Sequence, residues 1–291
     1  MRCRGDAPAR YRGYYYDNDI GLYYLQSRYY DPVTCKFINI DEPAILFETA
    51  ASLQGTLLWD YCENNPVMNI DPEGYKMCLF ADTETDKNLF LKELQKLTDH
   101  KLYISKGYVR IKSYSNRNRF KNGDKLIKEI INSYHECTVV IRNDGKYVSG
   151  FNRCDPDSDN ATVFGQGCNA HVGFDLNSKY QFKTINPNTK VVSKQKNIAP
   201  ICIVLAHELI HAHRFMRGRG IPDSKRSNYT YKTGIKKKCL GKNKYTYVYQ
   251  TETKNERLEE LATVGIKGVK AGDITENMIR KEHGLWLRGA Y

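Results

Sequence analysis

Residues Ile201–Gly218 read ICIVLAHELIHAHRFMRG, and this stretch constrains the chain more than any other. It contains His207-Glu208-Leu209-Ile210-His211, an HExxH. On a helix, positions i and i+4 share one face, so the two imidazoles stand one turn apart with a carboxylate beside them. Such a pair can hold one Zn²⁺, and Glu208 is then placed to accept a proton from a water that the metal activates. The helix is predicted independently of the motif. Pro200 suits a first helical position and Gly218 a C-terminal cap. Cys202, Leu205, Leu209, Ala212 and Met216 recur at three- and four-residue steps, which makes an apolar stripe to bury against a core.

Two histidines leave such a site one protein ligand short. Glu252–Gly265 is predicted to be a later helix, with Glu256 and Glu260 at i and i+4 and Glu259 beside Glu256. The residue pattern alone leaves the choice among these carboxylates open. The extended metzincin pattern would need Gly at position 214 and His at 217; both are arginine, so the third ligand must come from elsewhere in the chain.

Charge divides the chain. Residues 1–75 hold six Lys/Arg against eleven Asp/Glu, a net −5, whereas residues 76–291 hold 39 against 22, a net +17. This break predicts two units. The apolar runs are too short for a membrane-spanning helix, which needs ~20 residues, and the N-terminal stretch lacks the apolar core of a signal peptide. The nine cysteines are scattered without a CxxC pair and are read mostly as free thiols, with Cys154–Cys168 the alternative disulfide.

In residues 11–75, tyrosine-dense runs are punctuated by Gly, Asp, Asn and Pro, which predicts hairpins: Tyr14–Asp17, a turn at Asn18-Asp19, then Leu22–Tyr30. After residue 76, helices are predicted at Asp86–Thr98, Gly123–Glu136 and Thr275–His283. Strands are predicted at Cys137–Arg142, Ala170–Leu176 and Tyr245–Gln250, with a hairpin return at Lys146–Phe151. Residues 152–169, Lys179–Asn197 and Arg219–Lys244 are read as loops, the last strongly basic.

Two resemblances sharpen these expectations. Tyr14…Tyr16-Asp17, Gly21-Leu22-Tyr23-Tyr24, Arg28-Tyr29-Tyr30-Asp31-Pro32 and Asn64-Asn65-Pro66…Asp71-Pro72-Glu73-Gly74 resemble the end of the Rhs/YD-repeat-associated core of bacterial polymorphic toxins. That likeness implies a β-cage fragment over 1–75 and a toxin tip over 76–291, with a self-cleavage junction near Asp71-Pro72-Glu73-Gly74. LAHELIHAHRFMRG with EELATVG is similar to clostridial neurotoxin light chains. It is more similar still to the zinc metalloproteases that enteric pathogens secrete into host cells. The resemblance implies an α+β zincin-like fold, with a mostly antiparallel sheet over the active-site helix and Ala170–Leu176 as its edge strand. It also implies Zn²⁺ held by His207, His211 and Glu260, with Glu259 orienting a ligand imidazole and Glu256 the alternative ligand. The neurotoxins stabilise their oxyanion with an Arg-x-x-Tyr, a spacing repeated by Arg288 and Tyr291. The implied activity is that of an endopeptidase toxin or effector, delivered into a target cell to cleave a protein there. The implied partners are that protein, the Rhs cage of the parent protein and an immunity protein. A basic nucleic-acid-targeting toxin and a non-catalytic binding module are the alternatives; no HNH-like or carboxylate-cluster nuclease motif accompanies the basic charge.

Overall fold

The structure is a computed structural model that describes residues 15–17, 19–25, 28–34, 36–37, 77–133, 135–145, 151–241 and 244–290. The chain divides into two compact units, Met1–Gly74 and Tyr75–Tyr291.

In the first unit the tyrosine runs pair as an antiparallel meander of β1 (Tyr15–Asp17), β2 (Leu22–Leu25), β3 (Arg28–Asp31) and β4 (Lys36–Phe37), in that order. Asp17 makes the first turn: its Oδ1 accepts from Asp19 N at 2.9 Å. Its carbonyl accepts from Gly21 N at 2.8 Å, and Gly21 takes the positive φ of +72° that closes the turn. The single run expected at Leu22–Tyr30 is two strands, β2 and β3, paired with each other. The Asp71–Gly74 junction, Cys3, Cys35 and Cys62 lie outside the described residues.

The second unit is a mixed α+β fold. Its main sheet takes β5 (Met77–Phe80), β6 (Lys101–Ser105), β7 (Tyr108–Ser113), β8 (Cys137–Arg142), β9 (Arg153–Pro156) and β10 (Ala170–Asp175), in the order β6-β7-β5-β8-β10-β9. Its centre is parallel, since β8 runs with both β5 and β10. The expectation of a mostly antiparallel sheet holds for three of its five pairings, and the two parallel ones sit together at the centre. Parallel neighbours need long crossovers, and the β5–β8 crossover carries helices α1 (Glu84–Gln95) and α2 (Lys121–Ile131) around the β6–β7 hairpin. Strand β10 lies between β8 and β9, so it is interior, and the edge on that side is β9, in a stretch read as loop. The return at 146–150 lies outside the described residues.

Helix α3 (Ile201–Met216) carries the HExxH and packs against β9, β10, α1 and α2. Every residue from Cys202 to Met216 is buried, so the expected one-sided stripe extends round the whole circumference. A helix covered on all sides belongs to the centre of a core. Pro200 stands as its N-cap. At the other end Gly218, at φ +62°, lets Arg219 N reach Arg214 O at 2.8 Å and Gly218 N reach Phe215 O at 3.0 Å. These two bonds make a Schellman cap. A Cβ at Gly218 would meet the Val163 carbonyl at 1.8 Å, so no other residue fits there without rearrangement.

A smaller sheet joins β12 (Asn197–Ile198), β11 (Gln181–Thr184) and β15 (Arg288–Ala290), which turns the C-terminal segment into buried structure. The largest departure from expectation follows α3. The basic "loop" is β13 (Arg226–Gly241), paired along its length with β14 (Lys244–Arg257). The predicted helix at Glu252–Gly265 therefore begins only at Leu258, as α4 (Leu258–Val264). Alternating Thr/Tyr residues carry the strand further than the acidic residues suggested, because a paired neighbour outweighs local helix propensity. Helix α5 (Glu276–Glu282) starts at Thr275, whose side chain caps Met278 N.

Candidate metal centre

Helix α3 projects His207 and His211 toward α4, and their Nε2 atoms stand 3.2 Å apart. The Oε2 of Glu260 lies 3.2 Å from His207 Nε2 and 3.6 Å from His211 Nε2. Three ligand atoms bonded tetrahedrally at 2.0–2.1 Å would be separated by about 3.3–3.4 Å. The triangle thus has the size a zinc-like cation requires. Among the described residues, His207, His211 and Glu260 form the one grouping of His, Cys, Asp or Glu with metal-holding spacing.

Each imidazole is fixed from behind. His211 Nδ1 faces Glu259 Oε1 at 3.2 Å and Thr263 Oγ1 at 3.2 Å. His207 Nδ1 faces Glu276 Oε2 at 3.0 Å. A carboxylate at Nδ1 assigns the ring proton to that nitrogen and leaves the Nε2 lone pair for a cation. The carboxylates are themselves braced. Arg214 donates from Nε to Glu259 Oε1 at 2.8 Å and from Nη1 to Asp273 at 2.7 Å, while Ile221 N donates to Glu259 Oε2 at 2.8 Å. Glu276 receives Arg288 Nη1 at 3.0 Å and Arg280 Nη1 at 3.3 Å. Glu260 turns its other oxygen to Arg257 Nη2 at 2.6 Å.

The charge balance explains the titration behaviour. Burial opposes a protonated His211, but Glu260 and Glu259 outweigh it and carry the ring up to about 10. His207 is raised too, burial being overcome by Glu260 and Glu276. Glu260 is driven far below the carboxylate range against its own burial, by His211 and His207. Glu276, also buried, is held down to about 2 by Arg288, His207 and Arg280. Imidazoles that draw protons this strongly stand in a field that calls for positive charge, which a divalent cation supplies. Glu208 differs: burial lifts its carboxyl above the usual range, and the two imidazoles only partly offset that rise. A carboxylate brought nearer neutrality is suited to exchanging protons.

These groups open on a cavity of about 930 Å³. Its floor includes His207, Glu208 and His211; its walls include β9, Tyr180, Phe182, Ile221–Asp223, Arg257 and Arg288. Arg288 is buried, and besides Glu276 it reaches the Tyr180 hydroxyl from Nη2 at 3.2 Å. Tyr291 lies outside the described residues. Glu256 also lines the cavity, but it sits at the end of β14 beside Arg226 at 3.7 Å and does not join the triangle. His213 turns away to Glu129 at 2.6 Å.

The sequence reading missed Glu276, Arg214 and Tyr180. Glu276 carried the one usable signal, an acidic first turn behind a Thr cap, and that marks a helix start without saying what it faces. Arg214 looked like a departure from a ligand pattern; at 1 % exposure it is instead the brace for Glu259. No membrane-crossing helix occurs among the described residues.

Comparison with known proteins gives two kinds of relative. The tRNA nuclease WapA of Bacillus subtilis (strain 168) is 40 % identical over 73 residues, 25 % of this chain and 3 % of WapA. The tRNA(Glu)-specific nuclease WapA of Bacillus subtilis subsp. natto is 42 % identical over 66 residues, 23 % of this chain and 3 % of that protein. The chain therefore spans only a small part of the length of these relatives. The second finding covers most of the chain: residues 68–291 match the family model of the peptidase M91 effector proteins, and the chain belongs to that family.

Proposed function

We propose that residues 76–291 are a zincin-like zinc endopeptidase that cleaves a protein in a target cell. The observation that carries this reading is the triangle of His207 Nε2, His211 Nε2 and Glu260 Oε2, with sides of 3.2, 3.2 and 3.6 Å. The donor set, two imidazoles and a carboxylate, suits Zn²⁺ and leaves a position open. A Zn²⁺ there would polarise the scissile carbonyl and acidify water. The chain's own residues do the rest. Glu208, raised by burial, takes the proton of the attacking water and delivers it to the leaving amine. Glu259 and Glu276 hold the two imidazoles in register. Arg288 serves the developing oxyanion, and the Tyr180 hydroxyl, which accepts from Arg288, keeps a proton to offer the same oxygen. Tyr291 is the further donor expected from the Arg-x-x-Tyr spacing.

Residues 1–75 are, on this reading, the closing part of an Rhs-type core, and the parent protein's cage and an immunity protein are the natural partners. The tyrosine-rich meander supports it; the match to the curated relatives is as short as such a core fragment, 66–73 residues and 3 % of their length, as a module joined to unlike partners would give. The names of those relatives, with the net +17 of residues 76–291, favour a nucleic-acid-targeting toxin as the second reading. One comparison separates the two. Cells expressing wild type and Glu208→Gln are compared for new protein N-termini and for tRNA integrity. New N-termini lost in Glu208→Gln support the peptidase; tRNA breakage that persists in the variant overturns it.

A further inference from the structure

The β13–β14 hairpin is longer than the fold needs. Its two strands stay paired from Arg226↔Arg257 to Gly241↔Lys244, and 16 residues of β13 span roughly 50 Å at about 3.4 Å each. Only the root packs: Tyr229 and Tyr231 are buried with Val192, Leu261 and Ala290. Beyond Tyr231 the ribbon is half-buried at most, and its outer part is exposed, Tyr247 to 71 %. From Lys232 to Thr251 the sequence holds six lysines and no acidic residue. Tyr245, Tyr247 and Tyr249 alternate along β14, so they share one face, opposite Cys239, Lys237 and Ile235. On that face Lys232 Nζ lies 3.5 Å over the Tyr249 ring and Lys237 Nζ 3.7 Å over the Tyr245 ring. The result is a stripe of alternating cation and aromatic; the Lys232 carbonyl accepts from Val192 N at 2.7 Å, and beyond it no further strand pairs with either outer edge among the described residues.

A two-stranded ribbon beyond its packing is marginally stable, and an exposed row of tyrosine, isoleucine and unopposed lysine is a surface that gains from being covered. We infer that this arm is a docking strip for an acidic, extended segment of the protein substrate, placed beside the candidate metal centre. The inference rests on the reading of the cavity as peptide-cleaving. Carboxylates of such a segment would meet the lysines, its apolar side chains would lie on the tyrosines, and its backbone could add to a strand edge. The root supplies the connection: Glu256 and Arg257 line the cavity, and the next residues of the chain carry Glu259 and Glu260. RNA is the competing occupant of a lysine-rich strip. It binds such surfaces by stacking bases on open ring faces, and here lysines cover faces of two of the three tyrosines.

The test is binding by the full chain carrying Glu208→Gln, with fluorescence anisotropy of three probes: a 15-residue peptide rich in Asp, Glu and Leu, its Ser-for-acid counterpart, and a 15-nucleotide RNA. The acidic peptide should bind at least tenfold more tightly than the neutral one and weaken with salt. Lys236→Glu/Lys237→Glu/Lys238→Glu should lose at least tenfold, and Tyr247→Ser should weaken binding while keeping circular dichroism and metal content unchanged. Equal binding of the two peptides, undiminished binding by the charge-reversed variant, or RNA bound more tightly than the acidic peptide would each overturn the inference. General peptide hydrolysis by the Glu208 protein is measured separately. Acidic-peptide binding without hydrolysis sinks the catalytic reading and spares the arm; hydrolysis without selective binding does the reverse.

Discussion

Glu276→Gln tests whether the site is built as described, because it removes one charge and little volume. Glu276 is 1 % exposed and touches three groups: His207 Nδ1, Arg280 Nη1 and Arg288 Nη1. The amide oxygen can still accept from one of them, but it no longer neutralises two buried guanidiniums or fixes the His207 tautomer. Loss of a partner behind a ligand imidazole costs 10–100-fold in metal affinity, about 1.4–2.7 kcal/mol. Leaving buried cations short of an anion costs ~3–5 kcal/mol, and the retained amide favours the low end, ~3 kcal/mol. For a unit of this size that is a fall in Tm of roughly 6–12 °C. Two measurements are needed: zinc competition against a chromogenic chelator, and calorimetry of the zinc-free protein. Acid adds a signature. The folded carboxyl is depressed from 4.5 to about 2, so its stabilising share is present above the unfolded value and is lost as pH falls through that window. The variant should therefore show a smaller loss of stability between those pH values. Unchanged zinc affinity with a lowered Tm would refute the reasoning: Glu276 would then serve the arginines alone. Glu256→Gln, at the cavity wall but off the triangle, is the control and should leave zinc affinity as it is.

Other outcomes follow from the same geometry. Glu260→Ala should strip the metal, Glu259→Ala should weaken it about 10–100-fold, and Glu256→Ala should do neither; metal analysis of the three proteins decides the third ligand. Arg288→Ala should lower both kcat and Tm, because Arg288 holds Tyr180 and Glu276 from a buried strand; a purely catalytic loss with an unchanged Tm would deny it the bracing role. Among thiols, Cys239 is exposed, whereas Cys137 is fully buried with its thiol pushed up to about 12 by burial. Iodoacetamide at pH 8 should label Cys239 in the native protein and reach Cys137 only after unfolding, as peptide mass mapping will show.

What could be read from sequence follows the range of the interactions involved. The helix around His207 and His211 was legible because its signals are local: a Pro before it, a Gly after it, and apolar residues every three or four positions. Cys137–Arg142 and Ala170–Asp175 were legible as strands for the same reason, but their parallel pairing was not, since pairing partners leave no mark within six residues. The β13 stretch misled because lysines and glycine read as loop; its strand character comes from Tyr245–Gln250 across the ladder. The Glu259/Glu260 pair was reachable through resemblance. Glu276 and Arg214 were not, because what makes them functional is a contact across 69 residues in one case and 45 in the other.

The two braces share a logic that bears on the missing metzincin residues. Each imidazole of the proposed site is backed by a carboxylate, and each carboxylate by arginine, so the charge on α3 is settled by helices that come later in the chain. Arg214 is the hinge of one brace. Its guanidinium makes four bonds, two to Glu259, one to Asp273 and one to the Arg219 carbonyl. It thereby ties the C-terminal cap of α3 to α4 and to the segment leading into α5. A burial this complete is tolerable for arginine only when its fork is filled, and a lysine would keep the charge without the fork. In the metzincin pattern a glycine at 214 lets the chain turn and a histidine at 217 supplies the third ligand. Here the helix continues to Met216, the turn is made by Gly218, and the third ligand proposed is a glutamate on a helix that Arg214 helps to position.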